Sequence, residues 1–86
     1  MPESNQDRIK RLKMRSWRRG TKEMDMVLGP YSDTELVALD EAQIVLYDAM
    51  LNENDHDLYQ WITGQSPTPD AYLDLLTDIS KFAFKS

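Results

Sequence analysis

The sequence predicts an all-α protein, a small single-domain bundle of about five short helices. Three observations predict it. Apolar residues recur at helical spacing in five successive stretches, no stretch alternates with period two, and only 3 of 86 residues are glycine. A chain of this length makes one domain with a marginal core, here residues 1–86, with 1–4 expected as a disordered tail.

The elements follow in order. Ser4 with Asp7 three residues on resembles a capping box, so a first helix is expected over about residues 5–18. Its apolar residues Ile9, Leu12, Met14 and Trp17 make only a narrow stripe, too polar for the centre of a core. A second helix starts near Thr21, with Met24, Val27, Leu28 and Tyr31 on one face. Gly29-Pro30 is expected to kink or break it, and Ser32 or Asp33 to restart it through about Ala38. Asp40 and Gln43 open a third helix to about Asn52. Ile44, Val45, Leu46, Tyr47, Met50 and Leu51 make it apolar nearly all round, which marks it as the central helix. Asp55 is expected to cap a short fourth helix carrying Leu58, Trp61 and Ile62, ended by Gly64 in the left-handed conformation. Thr68 and Pro69 read as the start of a fifth, whose apolar face is Tyr72, Leu75, Leu76, Ile79, Phe82 and Ala83. The methionines read as gap-fillers in the core.

Composition narrows the function. There is no cysteine, hence no disulfide framework and no thiolate metal site. No apolar run approaches the roughly 20 residues that span a bilayer, and the N-terminus lacks a signal-peptide core. The arginine-rich first helix resembles an organellar transit peptide, but Glu3 and Asp7 argue against one. The net charge of −5 hides an asymmetry: residues 8–22 hold eight of the ten Lys and Arg, while the chain after Glu23 is acidic. Such a dipole steers an acidic partner, or lays the first helix on the domain's own acidic surface.

A catalytic set is missing from the sequence. The single histidine, His56, stands between Asp55 and Asp57 in an acidic turn with no second histidine to complete a ligand set, and reads as an exposed loop residue. Asp70, Asp74 and Asp78 recur along one helix face and read as solvated. No glycine-rich phosphate loop or dinucleotide fingerprint is present, so no cofactor is expected. Trp17 among the arginines has the chemistry of a nucleic-acid contact, but the acidic body repels a polyanion, so no nucleic-acid partner is expected, nor membrane insertion.

A binding module is left, and its focus is Arg18-Arg19-Gly20-Thr21-Lys22-Glu23-Met24-Asp25, where the basic segment meets the acidic remainder. Gly20 puts a side-chain-free spot between a cation and a carboxylate. Spacing alone leaves two readings open, a joint between helices and a place where another backbone comes close.

These residues resemble the R-R-G-x-x-E-x-D signature of the succinate dehydrogenase assembly factor family, the small flavinylation factors of bacteria and mitochondria. A second block, Asn54-Asp55-His56-Asp57-Leu58-Tyr59-Gln60-Trp61-Ile62, is similar to that family's D-x-D-L-aromatic-x-W motif. The resemblance covers roughly residues 8–84. His56 stands where many members carry proline, and Met24 where leucine is frequent. The resemblance implies a non-catalytic chaperone that helps the flavoprotein subunit of succinate dehydrogenase, or in some bacteria of fumarate reductase, acquire covalent FAD. The FAD and its nucleophilic histidine would belong to the client. It implies partner-binding roles for Arg19, Gly20 and Glu23, with Arg18 and Asp25 as helpers. Gly20 would admit the partner's backbone, and Arg19 and Glu23 would make charge-assisted hydrogen bonds across the interface. Leu58 and Trp61 read as core residues and Asp55 as a cap. The alternative is a nucleic-acid-binding or antitoxin-like regulatory module using the basic helix. A monomer is expected. Because the chain starts almost directly at the first helix, the bacterial cytoplasm is favoured over a mitochondrial matrix.

Overall fold

Helix α2 (Lys22–Glu35) is the spine of the fold, in place of the more apolar α3 (Glu41–Met50) that the sequence put there. The structure, a computed structural model, describes residues 3–84. Among them the elements are α1 (Asn5–Trp17), α2, a 3-10 turn (Leu36–Ala38), α3, α4 (Asp55–Ile62), a second 3-10 turn (Asp70–Tyr72) and α5 (Leu73–Ala83), with no strand. Helix α2 packs against both α1 and α5 and buries Met24, Val27, Leu28, Gly29, Tyr31 and Ser32. Helix α3 buries only Ile44, Tyr47 and Met50 and leaves Val45 56% exposed. Its apolar residues exceed what one packing face can cover, and total hydrophobicity overstated its burial.

Gly29-Pro30 does not break α2, which runs through both residues. Pro30 removes the donor that would reach the carbonyl of Met26. Met26 is 59% exposed, so the lost bond falls on the solvent side of the helix, where it costs least. Gly29 is bare because the Trp17 ring lies against it: a Cβ there would come within 2.4 Å of the indole. Trp17 Nε1 then donates to Asp33 Oδ2 at 3.1 Å, so one side chain fastens α1 to two turns of α2.

The caps follow the sequence with two exceptions. Ser4 Oγ accepts from Asp7 N, and Asp40 and Gln43 form a complete capping box on α3. Gly64 ends α4 with φ 79°, where a side chain would be strained. Helix α4 is capped by Asn54, whose Oδ1 accepts from Asp57 N at 2.8 Å, and this frees Asp55 for another task. The proline loop leads first into the turn Asp70–Tyr72, so α5 begins later than Thr68-Pro69 implied. Of the four residues expected as a tail, Met1 and Pro2 lie outside the described residues, Glu3 is bonded to Arg11 and Ser4 is the α1 cap.

Two tyrosines centre the core. Tyr31 and Tyr47 stack with centroids 6.0 Å apart, and Phe82 meets Tyr31 edge-on at 5.6 Å. The Tyr47 hydroxyl shares a 2.6 Å hydrogen bond with Ser16 Oγ, and burial pushes this phenol up to about 12. Tyr31 donates to Asp78 at 2.8 Å, so one of the three aspartates read as merely solvated has a bonding role. Leu58 is fully buried, and Trp61 packs partly exposed beside Tyr72. Among the described residues only Met24 and Met50 fill the core, for Met14 and Met26 are exposed.

Helix α1 lies on the domain's own acidic surface through one row of arginines. Arg8 pairs with Glu41 (2.7 Å), Arg11 with Glu3 (2.9 Å) and Asp48 (3.0 Å), and Arg15 with Asp48 (3.0 Å). The hydrogen bond from Arg11, with the nearby charge of Arg15, holds the Asp48 carboxyl below its ordinary 3.8. A depressed carboxylate stabilises the fold above its unfolded pKa and loses that contribution as pH falls through the folded value. Asp48→Asn is therefore expected to cost about 1 kcal/mol at neutral pH, discounted for solvent screening, and progressively less as pH falls below the ordinary 3.8. Thermal melts of both proteins across that range should converge at the acid end.

Candidate functional site: the α1–α2 corner

The two motif blocks of the sequence meet in space. Helix α1 ends at Trp17, Arg18 turns the chain, and Thr21 caps α2 by accepting from Met24 N at 3.3 Å. Across this corner stands Asp55, the first residue of α4. Its Oδ2 accepts from Gly20 N at 2.6 Å and Thr21 N at 3.1 Å, while its Oδ1 accepts from Arg19 Nε at 2.7 Å.

Arg19 spends the rest of its guanidinium on the same neighbourhood. Nη1 donates to the Leu51 carbonyl at 2.7 Å and Nη2 to the Glu53 carbonyl at 2.8 Å. The last carbonyls of a helix have no partner of their own, and a cation there also meets the negative end of the helix dipole. Arg19 thus closes the end of α3, and with side-chain exposures of 10% and 12% the Arg19–Asp55 pair is well shielded. On the other side, Asp25 Oδ1 accepts from Arg19 N at 2.6 Å. Both the backbone and the side chain of Arg19 are held from within the chain.

Gly20 is exposed, with no left-handed backbone to require it. A Cβ on it would stand 3.1 Å from Asp55 Oδ2, so its bareness has an internal cause in the close approach of that carboxylate. Arg18 and Glu23 are exposed, and neither side chain makes a hydrogen bond or ion pair among the described residues. Arg18 faces a shallow hollow with Met14 and Arg15. Glu23 faces a different one, an open cleft of about 320 Å³ between the starts of α2 and α4, lined also by Thr21, Asp55, His56 and Tyr59. The five residues singled out in the sequence therefore share one corner in two layers. Arg18, Gly20 and Glu23 form its surface, and Arg19 and Asp25 lie beneath.

Sequence reasoning missed Asp55, which it read as a cap, and the cleft residues His56 and Tyr59. His56 lies in the first turn of α4, exposed as expected. The available signal was the second block itself, whose first aspartate follows an asparagine better placed to cap. No group of three or more His, Cys, Asp or Glu side chains among the described residues is arranged to hold a metal ion, and no described helix is long and apolar enough to cross a membrane.

Residues 10–83 match the model of the family described as flavinator of succinate dehydrogenase. The chain is 39% identical over 67 residues to succinate dehydrogenase assembly factor 2, mitochondrial, of Drosophila grimshawi, an overlap of 76% of this chain and 46% of that protein. It is 36% identical over 78 residues to the protein of the same name from Danio rerio, covering 84% and 49%. With that of Aspergillus flavus it shares 40% over 60 residues, covering 70% and 20%. The chain spans half the length or less of these relatives.

Proposed function

Because the chain belongs to the family described as flavinator of succinate dehydrogenase, we propose that it binds the flavoprotein subunit of that enzyme and promotes covalent attachment of its FAD. The observation that carries the reading is the corner: a bare Gly20 and an unpartnered Glu23 held on a rigid base by the Arg19–Asp55 clamp. The proposal gives the five residues two kinds of work. Gly20, Glu23 and Arg18 face the client, while Arg19 and Asp25 fix the turn that presents them. A pre-set surface loses little freedom on docking, and it favours one client conformation over others.

The flavin is the client's. The cleft of this chain is bordered by Glu23 and Asp55, carboxylates that repel a diphosphate, and the Gly20 and Thr21 amides beside it are taken by Asp55. The chain's contribution is then to hold the flavoprotein so that its own reacting groups meet. Positioning of that kind needs no acid, base or nucleophile here. It acts as a monomer in the bacterial cytoplasm on this proposal, although the relatives named above carry the word mitochondrial. Fumarate reductase is the second client it admits.

The pairing of Arg8, Arg11, Arg15 and Arg19 with carboxylates favours this reading over a nucleic-acid module, since half of the eight clustered cations are already engaged. The test mixes the chain with apo flavoprotein subunit, FAD and a dicarboxylate, then reads flavin fluorescence on the denatured band. A gain over the chain-free control is expected, and Glu23→Gln should need roughly 10-fold more chain to reach it. An unchanged band would sink the proposal.

A further inference from the structure

We propose that the cleft between α2 and α4 is the receptor for one arginine side chain of the flavoprotein subunit, gripped by Glu23 and Tyr59. The inference rests on the function proposed above and adds the chemistry of the contact.

Three features of the cleft select that occupant. Its charge is the first. Asp55 lines the cleft, but Arg19 and two backbone amides already occupy its oxygens. Glu23 is the wall carboxylate left free. No free cation stands three or four residues from it: Met26 and Val27 follow in α2, Gly20 and the committed Arg19 precede it in the turn, and Lys22 is the adjacent residue, which points to a different side. The second feature is the ring. Tyr59 lies four residues after Asp55 on α4, hence on the same face, and is 36% exposed. Among the described residues its hydroxyl has no bonding partner. An aromatic face beside a carboxylate suits a cation that is flat. The third is size: about 320 Å³, open to solvent, admits a side chain and is too shallow to enclose a larger ligand.

A guanidinium meets all three. It stacks on the ring and gives Glu23 two parallel N–H donors. A lysine ammonium would satisfy the charge but has no plane to stack. Because Asp55 is neutralised by its clamp, the incoming cation meets one carboxylate that it can pair with completely.

The test is modification interference on the client. Free apo flavoprotein subunit is treated lightly with phenylglyoxal, quenched, and captured on the tagged chain, and its peptides from bound and unbound fractions are compared by mass spectrometry. One client arginine should be depleted of the adduct at least about 5-fold in the bound fraction. With Glu23→Gln or Tyr59→Ala as bait, both at exposed positions, that depletion should vanish, and Tyr59→Phe, which keeps the ring, should restore it. Capture and flavin attachment with every client arginine modified equally in both fractions would overturn the inference and leave the proposed function standing. An arginine that stays depleted with both variants would also overturn it, because that residue then acts elsewhere. Failure of the unmodified subunit to bind or gain flavin overturns the function reading, and this inference with it.

Discussion

Arg19→Ala is expected to destabilise the chain by about 3 kcal/mol, the scale of breaking a shielded ion pair and leaving its partner behind. The loss has three parts that act together. Asp55 keeps its two amide donors but loses its cation, and the Leu51 and Glu53 carbonyls lose theirs. For a domain this small that is a large share of total stability, and the melting temperature should fall by more than about 10 °C. Arg19→Lys should recover little of it, because an ammonium cannot reach a carboxylate and two carbonyls in the fork geometry of a guanidinium. Thermal and urea unfolding followed by circular dichroism measures both. A loss below about 1 kcal/mol for Arg19→Ala would show that the clamp is not what holds the corner.

Gly20→Arg should do the opposite: little harm to the fold, and loss of flavin attachment to the client. The new Cβ must move Asp55 Oδ2 by a few tenths of an ångström from its 3.1 Å approach, a cost of about 1 kcal/mol. The rest of the arginine reaches outward over the surface proposed for docking. Gly20→Ala separates the two causes, since it brings the same Cβ without the bulk. Flavin fluorescence on the client should survive in Gly20→Ala and disappear in Gly20→Arg, with both melting within a few degrees of the parent. Equal loss in the two variants would assign Gly20 to the internal packing against Asp55 alone.

How much of this was legible beforehand depends on the distance over which each feature is determined. Helix starts are local: Ser4, Thr21 and Asp40 cap their helices because the bond they make is three residues away. The fold class follows from the same short range. What could not be read was which residues meet across the chain. The Gly29-Pro30 pair looked like a break because the reason for Gly29 is the Trp17 ring, on another helix. Hydrophobicity put α3 at the centre, but burial is decided by neighbours, and α2 has α1 and α5 on its flanks. Arg19 and Glu23 looked alike as charged residues on one motif. Only the fold shows that Arg19 is committed to Asp55 while the Glu23 side chain has no partner among the described residues. The family resemblance gave both blocks without the fact that they touch.

The bond between those blocks bears on how genetic data would be interpreted. Residues 19 and 55 form one heritable unit: a lesion at either is felt at Gly20 and Thr21, whose amides Asp55 holds. If the proposed function holds, a screen for loss of flavin attachment would score Asp55 alleles beside those of Glu23, though the proposal gives the clamp no contact with the client. Second-site revertants separate the classes. On the proposed function, an Asp55 allele should be suppressed by changes that stabilise this chain, and a Glu23 allele by changes in the flavoprotein.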